Sequence, residues 1–402
     1  MNLLSRIRVA INRAVLPFLH FPRPFSFVGV DSSLSLCRFI VGTGARRVMV
    51  VTDGPLLKLG LVDPLVAALQ SAGISVEVFS DVEPDPSYEL VLGGIARLKK
   101  FNPDAVLAVG GGSPIDCAKA MLLSHANDCH PSKLAGLWLY ALPRKKCMPF
   151  YAVPTTAGTG SEVTIASVMS DTRDRSKRAI IDPKMVPAMI ALDPKLTLGL
   201  PPFVTATTGM DALTHAVEAY ISTLAAADTD EEARSATATI MRNLPVAYAN
   251  GGNLQAREDM LVGSCLAGMA FTRAGVGYVH AFAHEMGGMY HVPHGLANAI
   301  ILPHVLDYSK SRCAARLADL ARVSGLVESS GKTDAQLADE LIARIRDMNA
   351  RMQIPAAIRE LRREDFATII DHAFAEAHGT YGVPRYMTRA DADGLLVRLL
   401  PA

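Results

Sequence analysis

The chain has 402 residues with 40 Lys+Arg against 39 Asp+Glu, a formal net charge of +1. A nucleic-acid-binding protein carries a basic excess and a charge-extended disordered chain a large net charge, so this balance excludes both classes. Half of the residues are hydrophobic and 20% are charged, enough apolar material for a sizeable core, and the length suits two domains.

Residues 1–27 read as a basic amphipathic extension. They contain Arg6, Arg8, Arg13 and Arg23, and no acidic residue precedes Asp31. Leu4, Ile7, Ile11 and Ala14 fall on one helical face with Arg6 and Arg13 opposite, the pattern of a helix that lies on a membrane surface, serves as an organellar presequence, or docks on the protein or a second subunit. From about residue 40 strand and helix alternate. Apolar runs at 47–52, 75–79, 105–109 and 150–153 predict four strands separated by helices, hence a parallel sheet covered on both faces with ligands at its carboxyl edge. Beyond Gly199-Leu200-Pro201-Pro202 no period-2 segment stands out, while 205–224, 230–248 and 254–271 are helical in period. The predicted domains are therefore an α/β unit over 28–200 and an all-α unit over 201–402.

Six cysteines (Cys37, Cys117, Cys129, Cys147, Cys265, Cys313) form no CxxC pair and read as reduced, buried thiols. No apolar run reaches the ~18–20 residues of a membrane span and no secretory segment is evident, so the expected location is the cytoplasm.

Three patterns carry chemistry. Gly110-Gly111-Gly112-Ser113 follows the third predicted strand and opens a helix through Pro114, Ile115 and Asp116, the arrangement that offers backbone N–H groups and a helix dipole to a phosphate. Asp53 ends the first strand, where a carboxylate accepts hydrogen bonds from a ribose and repels a 2′-phosphate. Acid and glycines stand in the inverse of the usual order, and neither GxGxxG nor GxxxxGK[ST] occurs. Thr155, Thr156, Thr159, Ser161 and Thr164 crowd the segment 154–164 after the fourth strand, a density of hydroxyls suited to a pyrophosphate and ribose. Finally Asp211 and His215 share a helical face, as do His280 and His284, and five of eleven histidines (280, 284, 291, 294, 304) fall within 25 residues. A carboxylate and imidazoles suit a divalent metal, but spacing does not choose among the histidines. A second histidine at HExxH spacing is absent, since Gly288 stands there.

At these motifs, GGGSPID (110–116), PTTAGTGSEVT (154–164), GMDALTHAVEAY (209–220) and HxxxH…PHG (280–295), the sequence resembles the iron-containing, or group III, alcohol dehydrogenases from about Phe25 onward. The resemblance implies the dehydroquinate synthase-like architecture of a dinucleotide-binding α/β domain and a helical domain with the active site in the cleft between them. It implies Asp211, His215, His280 and His294 as metal ligands, for Fe²⁺ with Zn²⁺ as an alternative, and His284 as a non-ligand histidine beside the nicotinamide that takes part in proton transfer. Asp53 matches the acid that favours NAD over NADP; Gly110, Gly111, Gly112, Ser113 and Asp116 belong to the pyrophosphate motif, and Thr155, Thr156, Thr164 and Lys177 match further cofactor contacts. Ala166, Val168 and Phe271 match positions lining the substrate pocket.

Three departures stand out: Asp85 between Pro84 and Pro86 where relatives often carry Asn, Ala166 in place of an asparagine that some diol-processing relatives use, and Glu285 where proline is frequent. The expected activity is NAD-linked hydride transfer to or from a primary or small alcohol held at the metal, by a homodimer or larger homo-oligomer. Its rivals are a related two-domain oxidoreductase of the maleylacetate reductase or glycerol dehydrogenase type, and a non-catalytic NAD- or metal-binding protein.

Overall fold

The structure, a computed structural model, describes residues 3–16, 19, 21–136, 144–171, 176–325 and 330–401. The side chains of residues 3–6 and 8 lie outside the described set, and with them the expected placement of Leu4 and Arg6. The chain divides into two compact units, His20–Gly199 and a second made of Met1–Leu19 with Leu200–Ala402. The first helix, α1 (Leu3–Val15), thus belongs to the second unit.

The first unit runs β1 (Phe25–Val28), α2 (Ser32–Gly42), β2 (Arg47–Asp53), α3 (Gly54–Lys58), α4 (Asp63–Ser71), β3 (Ser75–Val82), α5 (Tyr88–Phe101), β4 (Ala105–Gly110), α6 (Gly112–Asn127), β5 (Phe150–Pro154), β6 (Ala166–Asp171), β7 (Ser176–Ile181) and β8 (Met189–Leu192). Six strands form one parallel sheet in the order β1-β8-β5-β4-β2-β3. β4 and β5 are buried along their whole length and β2 from Val48 to Thr52, which is why they read as unbroken apolar runs. Val48, Val50, Leu107 and Val109 pack with Leu36, Ile40, Leu65 and Leu69 of the covering helices, each such side chain contributing roughly 1.5–3 kcal/mol by leaving water.

The four strands expected from periodicity are β2, β3, β4 and β5. β1 and β8 are four residues each and escape a periodicity reading, and β6 and β7 pair antiparallel outside the sheet. Along β6 buried Ser167, Met169 and Asp171 alternate with the more exposed Ala166, Val168 and Ser170. The chain visits β3 on one side of β2, then crosses to β4 and β5 on the other. The carboxyl ends of β2 and β4 therefore flank a topological switch point, the place where open α/β sheets bind ligands.

The second unit is helical: α7 (Pro202–Ile221), α8 (Ala227–Ala249), α9 (Leu254–Ala274), α10 (Tyr278–Tyr290), α11 (His294–Ser324), α12 (Asp334–Arg351), α13 (Phe366–Ala377) and α14 (Arg389–Leu399). Apart from Thr208, α7 is buried from Thr205 to Ile221 and packs against α8, α9 and α11. Pro201 and Pro202 open it, a helix start where a missing N–H costs nothing. α10 lies between α11 and α13. Among the described residues, no single helix is long and apolar enough to cross a membrane. Five of the six cysteines are buried and none forms a disulfide.

Candidate metal and cofactor sites

In the first unit, β4 ends at Gly110 and α6 starts at Gly112 with Gly111 at its N-cap. A methyl group on Gly112 would come within 2.9 Å of Thr159 Cγ2, and one on Gly111 within 3.3 Å of Thr156 Oγ1. Lack of a Cβ is thus what lets the two predicted cofactor segments touch. The N-terminus of a 16-residue helix, with Ser113 in its first turn, faces Thr156 and Thr159 and makes a cradle of backbone N–H groups of the kind that can bind an anion.

A buried charge holds this cradle from beneath. The Lys119 ammonium, fully buried in α6, donates to Ser161 O, to Ser161 Oγ (3.2 Å), to Thr164 Oγ1 (2.9 Å) and to Ala166 O (2.8 Å). Burial pulls its pKa down to about 8 against the attraction of Asp116 and Glu162. Asp116 accepts from Ser161 Oγ and, at 2.8 Å, from Val168 N–H, while its backbone carbonyl accepts from Ser167 Oγ. Burial raises the Asp116 carboxyl and takes that of neighbouring Glu162 to about 7. Of the predicted cofactor residues, Asp116, Ser161 and Thr164 therefore face one another inside the protein and shape the loop, whereas Gly111, Gly112, Ser113, Thr156 and Thr159 line its open side. Thr155 is buried, its N–H donating to Gly110 O at 3.0 Å and tying the two segments together.

Asp53 ends β2 and caps α3, its Oδ1 accepting from Leu56 N–H at 2.8 Å. Burial raises this carboxyl, and the Leu56 N–H works against that. Lys177 on β7 meets Asp85 Oδ1 at 2.6 Å, so the aspartate found where relatives often carry Asn engages a second predicted cofactor position. Asp85 adopts a left-handed backbone, φ 55°, which Asp tolerates better than most residues.

In the second unit, Asp211, His215 and Glu218 recur at i, i+4 and i+7 along α7, on one face. α10 supplies His280 and His284, and α11 begins at His294. Ligand atoms of Asp211, His215 and His280 all lie within 4.8 Å of one another, and all three residues are buried. His294 Nε2 is 3.6 Å from Asp211 Oδ1. Phe271 stacks on His215 at 4.2 Å between ring centroids, and His280 stacks on it at 4.4 Å, so Phe271 reaches the cluster through an imidazole. Ala166 and Val168 stand on β6 in the other unit.

These residues fit a divalent cation. Burial, with His215, His294 and His284 as neighbours, holds the His280 imidazole well below its ordinary pKa, in the neutral form that ligates metals. Asn298 Nδ2 sits 2.6 Å from Asp211 Oδ1, 3.1 Å from His294 Nε2 and 3.3 Å from His280 Nε2, so three candidate ligand atoms surround one point. Its own Oδ1 is buried without a hydrogen-bond partner. One carboxylate and three imidazoles form a mixed N/O set suited to Fe²⁺ or Zn²⁺.

Four residues beyond the predicted set organise the cluster. Glu218 Oε2 accepts from His280 Nδ1 at 2.7 Å and from Gly277 N–H at 2.8 Å, and Oε1 from Val279 N–H at 2.7 Å. It caps α10 and fixes the His280 tautomer so that Nε2 faces Asp211. Burial pushes its carboxyl up to about 7 despite these donors. Glu376 on α13 meets His284 Nδ1 at 2.7 Å and also accepts from the Tyr381 hydroxyl. Burial alone would raise the Glu376 carboxyl, but His284, Tyr381 and His294 hold it below its ordinary range. Glu218 and Asn298 had a local signal, since each continues the helical spacing of a ligand, Glu218 from His215 and Asn298 from His294. Glu376 and Tyr381 had none, lying 92 residues and more from His284.

Comparison with known proteins adds the following. The profile of the family described as iron-containing alcohol dehydrogenase matches residues 24–194, and that of the Fe-containing alcohol dehydrogenase family C-terminal domain matches 205–400. A 1,3-propanediol dehydrogenase of Klebsiella pneumoniae is 41% identical over 339 residues, 83% of this chain and 87% of that protein. An NADPH-dependent butanol dehydrogenase of Clostridium saccharobutylicum is 39% identical over 334 residues, 82% of this chain and 84% of that protein. The crystal structure of a 1,3-propanediol oxidoreductase superposes with a TM-score of 0.90 at 37% identity, covering 95% of this chain and all of that one.

The convergent donors make a direct prediction. His280→Ala abolishes stoichiometric iron or zinc, measured by elemental analysis after dialysis, while NAD binding persists; Glu218→Gln keeps the ligand set but weakens metal affinity about 10–100-fold. Full metal content in His280→Ala would refute the assignment.

Proposed function

The chain belongs to the iron-containing alcohol dehydrogenase family, and from that premise we propose that it interconverts a primary or small alcohol and its aldehyde, with NAD in preference to NADP as hydride carrier. The observation that carries this reading is the convergence of Asp211, His215 and His280 within 4.8 Å, with His294 3.6 Å from Asp211, in a chain whose β2/β4 switch point bears a ribose-type acid and a glycine cradle. The same reading takes the enzyme as a cytoplasmic homodimer or larger homo-oligomer, as expected from the sequence.

Asp211, His215, His280 and His294 would hold the metal. When bound, a dication there would supply Lewis-acid polarisation of the substrate hydroxyl, and the nicotinamide would supply the hydride acceptor. The remaining work falls to the chain itself. Gly111, Gly112 and Ser113 bind pyrophosphate through backbone N–H groups, and Asp53 accepts from the ribose hydroxyls. Glu218 holds His280 in register. Glu376 orients His284 by accepting from Nδ1, which leaves the ring suited to pass a proton between substrate and solvent near neutral pH. Phe271, Val168 and Ala166 present apolar surface, which suits aliphatic or aromatic alcohols. A methyl at Ala166 offers no hydrogen bond to a second hydroxyl, so monohydric alcohols should be preferred over the diols named for the propanediol relatives.

The test is NAD-coupled oxidation of 1-butanol, benzyl alcohol and 1,3-propanediol, with the matching aldehydes in reverse, after loading with Fe²⁺ or Zn²⁺. Turnover of at least one monohydric alcohol is expected. Silence across the panel by metal-loaded protein would favour a binding role.

Asp53 gives the cofactor prediction. Because it also caps α3, Asp53→Ser retains a cap while removing the charge. The kcat/KM ratio for NADP over NAD should rise about tenfold or more, the scale of roughly 1.4 kcal/mol; an unchanged ratio would count against the ribose contact. For His284→Ala, metal content is retained, kcat falls about 10²-fold or more and its pH profile changes. Glu376→Gln moves kcat the same way by a smaller factor, and wild-type kinetics in both variants would remove the proton-transfer role.

A further inference from the structure

The amphipathic helix α1 leaves part of its apolar surface uncovered by its own unit. Val9, Ala10, Arg13 and Ala14 line an open groove with Thr223, Val383, Pro384 and Tyr386 of the same unit. On another side of the helix Ile7, Ile11 and Val15, spaced by four, are 45%, 46% and 36% exposed. A short helix gains most of its stability by burying its apolar stripe. Here the stripe stays partly exposed, and the groove side carries Arg13 beside Val9, Ala10 and Ala14.

Charge indicates what covers the stripe. Residues 1–27 hold four arginines and no acid, whereas the rest of the chain has 36 Lys+Arg against 39 Asp+Glu. Pairing this helix with the same helix of a second copy would bring arginines together with no acid in the segment to meet them. Three aliphatic side chains also fall far short of the ~800 Å² per partner that a stable protein interface buries. At 13 residues, α1 spans only about 20 Å, too short for the ~30 Å hydrocarbon core of a bilayer. It is suited to lie along a surface rather than to cross it.

We propose that α1 is a reversible anchor to membranes bearing anionic lipids, with Ile7, Ile11 and Val15 inserted at the boundary of headgroups and acyl chains and the net positive charge of the segment drawing it to the anionic surface. The attachment is independent of the metal and cofactor sites, so it stands or falls apart from the proposed reaction.

The experiment is co-sedimentation of the full chain with phosphatidylcholine vesicles containing about 30% phosphatidylglycerol, and with phosphatidylcholine alone. Binding is expected to the anionic vesicles at about 0.05 M salt, to be lost near 0.5 M, and to be about tenfold weaker on phosphatidylcholine. Ile7→Asp/Ile11→Asp should lose about tenfold of the anionic binding while retaining wild-type alcohol oxidation in the absence of vesicles, which shows that the variant is folded. No binding at low salt would overturn the proposal, as would equal binding by the double variant. A smaller oligomer for that variant in analytical ultracentrifugation, with vesicle binding unchanged, would assign the stripe to a contact between copies and overturn it as well.

Discussion

The metal cluster depends on one buried carboxylate. Glu218 emerges from α7 into a region with no exposed surface, where an isolated charge would be prohibitively costly, and it persists because three N–H groups from the start of α10 converge on it. The two helices are thereby locked in register. α7 contributes Asp211 and His215, α10 contributes His280, and the shared carboxylate aligns one set with the other. Gly277 completes the arrangement, since a Cβ there would stand 2.6 Å from Glu218 Oε1. Without an acceptor at Glu218, three buried donors would be orphaned at about 1–3 kcal/mol each, so stability and ligand orientation rest on the same atoms.

The nucleotide-binding side follows the same logic with the sign reversed. Lys119 is a buried cation met by four oxygens, three of them in the segment 161–164 and the fourth at the start of β6. Its hydrogen bonds fix a Thr/Gly-rich loop that has little apolar surface with which to hold itself. Asp116, on the same helix, takes the Ser161 hydroxyl and the Val168 N–H, so the N-terminal half of α6 both presents the glycine cradle and clamps the loop opposite. A binding site made of backbone N–H groups is useful only if it is rigid before the ligand arrives. Here the rigidity comes from polar groups bonded to one another beneath the loop.

How far the sequence was legible follows from what kind of contact each feature uses. Strands buried on both faces, such as β4, show as apolar runs; β1 and β8, at four residues, and the half-exposed pair β6–β7 do not. The α/β half and the helical half separate clearly by period. Gly110–Ser113, Asp53 and the Asp211/His215 pair were visible because their chemistry is local: a turn before a helix, the end of a strand, one helical face. Choosing among five clustered histidines needed either a family resemblance or three-dimensional distances, because His280 and His294 approach Asp211 from two different helices. Lys119 was hidden by its setting among Cys117, Ala118 and Ala120, where a lone lysine reads as a solvent-exposed position. Glu376 was hidden by separation along the chain. Even the legible Asp53 carried a second role, capping α3, which a reading of single residue functions does not reveal.

The near-neutral net charge proves to be a sum of unlike parts. An excess of three acidic groups beyond residue 27 is offset by four arginines in the first 27 residues, and the helix that carries most of them keeps an apolar stripe partly exposed. Segregation of this kind points to a functional rather than a structural rationale. Surface ion pairs contribute at most about 1 kcal/mol each and do not require it. Attachment to a bilayer would do so, and it bears on the substrate. Apolar alcohols partition into lipid in proportion to their buried CH₂ groups, about 0.8 kcal/mol apiece, so an enzyme held at the surface works where longer alcohols are concentrated.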